Sequence, residues 1–235
     1  SGASMHRIAA AMPGRVVRTP DLPGHGARSR ETFTMNGAVE TISATIDDVG
    51  GRAVVAGLSL GGFVAMATAA RHPGAVAGLV AMGATAQPGR LFAAPFRAFG
   101  AVTARLPKES TQVSRWITRV VVGRQVSDDM EIGGLAVHSI ADVVEGLAEF
   151  DALGAVHAYD GPVRYINGGR DQFRVHEQKF LAASPGSELV VLPKAMHLFP
   201  LIQPDRTGEL IDEFAGGVDA VVPQAAPTSP TPAPE

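Results

Sequence analysis

The chain predicts an α/β fold in which a mostly parallel sheet is flanked by helices and interrupted by one helical insertion. Three observations carry this. Short β-branched runs alternate with helical patterns, as expected where crossover helices cover both faces of a parallel sheet. One run, Ala53-Val54-Val55-Ala56, passes through Gly57-Leu58-Ser59-Leu60-Gly61 directly into helical spacing. The 235 residues, 46% of them hydrophobic, suffice for one domain with a well-buried core.

Taken in order, Ser4 to Ala11 reads as a short first helix closed by Pro13-Gly14, followed by a strand near Arg15 to Arg18. A second helix, about Ala38 to Val49, leads into the strand Arg52 to Leu58. Phe63, Val64, Met66, Ala67 and Ala70 then recur at helical spacing until His72-Pro73-Gly74 stops the helix. Further strands are expected at Ala77 to Met82, Pro162 to Asn167 and Glu188 to Leu192. Between the first two of these, residues 87–151 form a long stretch without a convincing strand, read as an inserted helical lid. Val113, Trp116, Ile117, Val120 and Val121 make one apolar stripe in it, and Ile140, Val143, Val144, Leu147 and Phe150 make another. Both stripes pack on the domain in the simplest reading, with Trp116 or Phe150 as candidates to line a pocket. The insertion divides its charge: Arg90, Arg97, Arg105, Lys108, Arg115, Arg119 and Arg124 precede Asp128, Asp129, Glu131, Asp142, Glu145, Glu149 and Asp151. Two helices attracting each other explain this, as does an arginine turned inward to hold a carboxylate or phosphate. From Val218 the chain turns Pro- and Ala-rich, a composition unable to bury enough apolar surface to order itself. The division is therefore a domain over 1–217 and a disordered tail over 218–235.

Composition excludes several functions. A net charge of -3 without a long basic block argues against nucleic-acid binding. No run approaches the roughly 18 apolar residues that cross a bilayer. The absence of cysteine removes disulfides, thiolate catalysis and cysteine metal sites. With no basic-then-apolar leader at its start, the expected setting is cytoplasmic.

Ser59 carries the clearest chemistry. A serine hydroxyl is a weak nucleophile, so it needs a sharp strand-to-helix turn that exposes it to a base. Gly57 and Gly61 are expected to give that turn its freedom. The following helix aims free N–H groups and its positive dipole end at the place where an oxyanion would form. A base and an orienting carboxylate should follow later strands. Val163-Arg164-Tyr165-Ile166 ends in Asn167-Gly168-Gly169-Arg170-Asp171, which makes Asp171 the carboxylate. Leu189 to Leu192 ends in Pro193-Lys194-Ala195-Met196-His197, which makes His197 the general base. His6, His72, His138, His157 and His176 do not follow a strand and read as surface or packing residues. Asp160 precedes its strand, and Gly83 to Gln87 contains no carboxylate.

Together, Asp21-Leu22-Pro23-Gly24-His25-Gly26, Gly57 to Gly62, Gly168-Gly169-Arg170-Asp171 and Ala195-Met196-His197 resemble the α/β-hydrolase superfamily over about residues 1 to 215. The order Ser59, Asp171, His197 is the one expected there. The resemblance implies a serine hydrolase of carboxylic esters or related small acyl compounds, acting through an acyl-enzyme without cofactor or metal. It also implies a structural His25 and an oxyanion donor at the N–H of Leu60. A serine nucleophile argues against the dehalogenase and epoxide hydrolase branches. Carbon-carbon bond hydrolases and lyases of the same fold remain open, as does a non-catalytic ligand-binding member. Family members also carry N-terminal strands, the last ending in a His-Gly loop that gives a second oxyanion donor. Ser1 to His6 resembles the stretch just after that loop, so these strands are expected to be absent and the chain to be a fragment.

Overall fold

The computed structural model describes residues 1–89 and 140–221. The Trp116 stripe, the run from Arg90 to Arg124, the acidic residues from Asp128 to Glu131, His138 and the Pro-rich run from Pro223 lie outside those residues. After a 3₁₀ turn at Ala3–Met5 come α1 (His6–Ala10), a second 3₁₀ turn at Gly26–Arg28, α2 (Met35–Asp47), β1 (Ala53–Leu58), α3 (Leu60–Arg71) and β2 (Val76–Met82). Then follow α4 (Ile140–Ala148), α5 (Ala152–His157), β3 (Val163–Gly168), α6 (Glu177–Ala183), β4 (Glu188–Leu192), α7 (Phe199–Ile202) and α8 (Pro204–Val221).

The four described strands form one parallel sheet in the order β1-β2-β3-β4. Alternation along the strands sends side chains to opposite faces. Val55, Leu79, Ala81, Val163 and Tyr165 face a core completed by Phe63 and Met66 of α3, Val156 of α5 and Phe180 of α6. Val80, Met82 and Ile166 face the other way, onto Ile8 of α1, Phe199 of α7 and Leu210, Ile211 and Phe214 of α8. Both faces are covered, which is why these strands read as near-continuous apolar runs. The helix ends follow local chemistry as well. Thr34 caps α2 by accepting from the Gly37 N–H at 3.0 Å, and Asp151 caps α5 by accepting from the Gly154 N–H.

Two expectations are corrected. Arg15 to Arg18 is not a strand: it joins no described sheet, and among the described residues β1 pairs with β2 alone. A strand exists by its ladder bonds, and this run is held by side chains instead, with Arg15 paired to Asp212 and Asp219 of α8. Val17 packs against the same core cluster as Val54 and Leu58, while Val16 is exposed. At the other end, Val218 is buried in α8, which continues to Val221, past the point where composition places the tail.

Arg164 secures the β3–β4 side. It is buried in β3 and donates to Glu188 of β4 at 2.7 Å, to Glu213 of α8 at 3.2 Å and to the Leu210 carbonyl at 2.8 Å. Its guanidinium also lies over the Phe214 ring.

Candidate active site

The C-terminal ends of β1, β2, β3 and β4 point the same way, because every pairing is parallel. The three residues singled out from sequence all lie on segments leaving those ends. Ser59 follows β1, Asp171 lies in the loop after β3, and His197 lies in the loop after β4.

Ser59 occupies the turn from β1 into α3 with φ 53° and ψ -114°. This is a left-handed backbone that a residue with a Cβ adopts only under strain. The surroundings over-determine it. The Ser59 N–H donates to the Met82 carbonyl at 2.8 Å, and the Ser59 carbonyl accepts from Gly62 and Phe63 in the first turn of α3. The tight approach differs from the one expected. A Cβ at Gly57 would stand 2.1 Å from the Gly61 carbonyl oxygen, and one at Gly62 would stand 2.6 Å from Ala84 Cβ, whereas Gly61 has nothing within 4 Å. Gly57 and Gly62 are therefore the steric requirements, and Gly61 is not. Leu60 opens α3, so its N–H is one of the donors that the helix itself leaves unbonded.

Asp171 and His197 are brought together. His197 Nδ1 lies 3.0 Å from Asp171 Oδ2, with the Asp171 side chain fully buried and that of His197 15% exposed. The second carboxylate oxygen, Oδ1, accepts from the Phe173 N–H at 2.8 Å. The Phe173 ring stands edge-on to the imidazole at a centroid distance of 4.5 Å. Backbone bonds join the two loops: Gly169 N–H to Leu192 O at 2.8 Å, and Arg170 N–H to Ala195 O at 2.9 Å. Ser59 and His197 are not hydrogen-bonded to each other. They meet through β2: Met82 O accepts from Ser59, and the next residue, Gly83, lies against the His197–Asp171 pair.

The other histidines are placed elsewhere. His25 Nδ1 lies 3.0 Å from the Pro23 carbonyl and its ring meets Phe33 edge-on, in a turn where Asp21 accepts from the Gly2 and Ala27 N–H groups. His72 ends α3, and His6 and His157 lie in α1 and α5. His176 Nδ1 accepts from the Gln87 N–H at 2.9 Å. Sequence reasoning missed Gln87. Its side chain donates to the Phe150 carbonyl at 3.2 Å and accepts from the Leu153 N–H at 2.9 Å, so it bridges residues at the two roots of the insertion. Among the described residues there is no group of three or more His, Asp or Glu placed to hold a metal, and no helix long and apolar enough to cross a membrane.

An imidazole backed by a buried carboxylate, at the sheet edge that also presents a strained serine ahead of a helix, is suited to general-base and nucleophilic chemistry. A family model described as the alpha/beta hydrolase family matches residues 1–210. The pimeloyl-acyl-carrier-protein methyl ester esterase of Neisseria meningitidis serogroup C is 30% identical over 235 residues, spanning 91% of this chain and 87% of that protein. Lipase LipV of Mycobacterium tuberculosis is 41% identical over 81 residues, or 34% of this chain and 31% of that one. Among solved structures, a hydrolase from Pseudomonas aeruginosa superposes with a TM-score of 0.75 at 23% identity, covering 92% of this chain and 86% of that one, a likeness of fold.

Proposed function

The chain belongs to the alpha/beta hydrolase family, and from that premise we propose that it is a serine hydrolase of carboxylic esters or related small acyl compounds. The observation that carries this reading is the buried Asp171 carboxylate 3.0 Å from His197 Nδ1, at the sheet edge where Ser59 is strained.

In this mechanism Ser59 Oγ attacks the ester carbonyl while His197 Nε2 takes its proton. Asp171 accepts from Nδ1–H, fixing the tautomer that leaves Nε2 free and stabilising the imidazolium as it forms. The Leu60 N–H and the positive end of α3 stabilise the oxyanion. The intermediate collapses, and His197 returns the proton to the departing alkoxide, which leaves as an alcohol. Water, deprotonated in turn by His197, releases the acid and restores Ser59. The missing Ser59–His197 bond is compatible with this sequence, because catalytic hydrogen bonds often shorten only when substrate is bound.

A cytoplasmic setting belongs to the same proposal. The meningococcal relative is named for a methyl ester, so esters of small alcohols are the first substrates to assay. The test combines hydrolysis of short-chain methyl and p-nitrophenyl esters with labelling by an alkyl fluorophosphonate. The reading requires covalent labelling at Ser59, lost in Ser59→Ala together with turnover. A folded protein that neither labels nor hydrolyses would be a non-catalytic member of the family.

A further inference from the structure

The loop that carries Asp171 is closed by one side chain with no role in the mechanism above. Arg174 donates from Nε and Nη2 to the two carboxylate oxygens of Glu177, at 2.9 Å and 2.8 Å, and from Nη1 to the Gly169 carbonyl at 3.0 Å. One planar guanidinium thus ties the residue just after β3 to the first turn of α6. Asn167, fully buried in β3, anchors the same carboxylate: its Nδ2 donates to Glu177 Oε1 at 2.8 Å and to Thr85 Oγ1 at 2.8 Å. Between the two points tied by Arg174 hang Asp171, which faces His197 Nδ1, and Phe173, which gives its N–H to Asp171 and its ring to His197.

Stability alone does not account for this arrangement. Partly exposed ion pairs add little to stability, and the Arg174 side chain is 30% exposed. What the guanidinium supplies is geometry, since its fork fixes three bonds in one plane where an ammonium would act as a point charge. The Glu177 hydrogen bonds, and after them the charges of Glu177 and Asp171, raise the Arg174 pKa further above its ordinary value, and an arginine is charged at any working pH.

We propose that Arg174 is a positioning residue for the reaction: by closing the loop from Gly169 to Glu177, it holds the Asp171 carboxylate and the Phe173 ring against His197. The proposal rests on the serine-hydrolase reading and predicts a particular kinetic pattern. Arg174 bonds only to loop and helix atoms among the described residues, so losing it leaves substrate binding intact and misplaces the group that orients the base.

The experiment uses the full chain, with Arg174→Met and Arg174→Lys beside the wild type. For each, p-nitrophenyl ester kinetics, thermal melting and the low-field NMR resonance of the His197 Nδ1 proton are recorded. Arg174→Met should lower kcat on the order of 10- to 100-fold, the scale of a sub-ångström to ångström misplacement. KM should stay within about 2-fold, because the lost contact is not made to substrate. The low-field resonance should broaden or vanish in a protein that still melts cooperatively. Arg174→Lys, which keeps the charge and loses the fork, should recover part of kcat. If Arg174→Met does not fold, the lysine variant decides, with the same pattern at smaller amplitude. Unchanged kcat in a folded variant overturns the proposal, as does a loss of kcat with the Nδ1 resonance intact. A wild-type protein that fails to label at Ser59 sinks the serine-hydrolase reading itself. A labelled wild type beside an unaffected Arg174 variant sinks only the positioning role.

Discussion

Gly83 lies against His197: a Cβ built at Gly83 would stand 3.0 Å from His197 Nδ1 and 3.0 Å from Asp171 Oδ2. Its φ of 57° is left-handed, so the end of β2 is shaped for a residue without a side chain. Gly83 thus packs directly against the imidazole–carboxylate pair, whose carboxylate side chain is fully buried, and a hydrogen bond in such surroundings is electrostatically stronger than in water.

Gly83→Ala should therefore cost activity and stability together. The left-handed backbone costs an alanine on the order of 1 to 2 kcal/mol, and the methyl group must also push the imidazole or carboxylate aside. If His197 is the base proposed above, steady-state kinetics should show kcat reduced on the order of 10-fold or more through its displacement. Melting should fall by several degrees. A variant with native kcat would mean that the pair tolerates the displacement.

Ser59 stores strain that glycine would release. A residue with a Cβ held at such angles costs about 1 to 3 kcal/mol, and Ser59→Ala keeps that cost while Ser59→Gly removes it. Both variants should be inactive, yet Ser59→Gly should be the more stable of the two by about 1 kcal/mol, after allowance for the greater freedom of an unfolded glycine. Denaturant titration of the pair measures the difference. Equal midpoints would show that the elbow backbone is relaxed around serine.

The places of residues that directly follow a strand were readable in advance. Ser59, Asp171 and His197 each follow an apolar run that can only be a buried strand, so their place at one sheet edge follows from parallel topology. Glu188 to Leu192 was legible to its ends, because Ser184-Pro185-Gly186 and Pro193 bracket it. Contacts made across the fold were not. Gly83 looks like any turn glycine until the loops after β3 and β4 arrive beside it, and Gly62 is distinguished from Gly61 only by Ala84. Arg15 to Arg18 failed for a related reason, since β-branched composition cannot say whether a ladder partner is present. Arg174 and Glu177 stand three residues apart in the sequence. Nothing in that spacing signals the Gly169 carbonyl or Asn167.

Gln87 should matter more than its polar, unremarkable type implies. Gln87→Ala removes the bonds to the Phe150 carbonyl and the Leu153 N–H, leaving partly buried backbone groups to find other partners. Each unsatisfied group costs about 1 to 3 kcal/mol, so the expected destabilisation is about 2 kcal/mol by denaturant titration. Hydrogen exchange at Leu153 should accelerate more than at Val163 of β3. Uniform acceleration would show that the bridge supports the whole domain, and none would show that water replaces it.

Alkaline pH should unfold the protein through its two tyrosines. Tyr159 and Tyr165 are 4% and 0% exposed, and burial pushes each phenol from 10.0 up to about 12. Tyr159 donates to the Val76 carbonyl at 3.0 Å, and the Tyr165 hydroxyl lies 2.8 Å from Ser184 Oγ. Both bonds join the sheet or its flanks to neighbouring elements, so neither phenolate is welcome in place. Unfolded phenols lose their protons above the ordinary value while the folded ones keep theirs. The folded state then binds more protons, and stability must fall as pH rises. The contribution is fully present below pH 10.0 and is lost on the way to about 12. The slope is at most about 1.4 kcal/mol per pH unit for each ring. Because the chain has only these 2 tyrosines, phenolate absorbance reports them directly. Ionisation should coincide with loss of helical circular dichroism, and Tyr165→Phe should reduce the slope of stability against pH in this window. Phenolate absorbance appearing near pH 10.0 in a protein that keeps its helical signal would contradict the account.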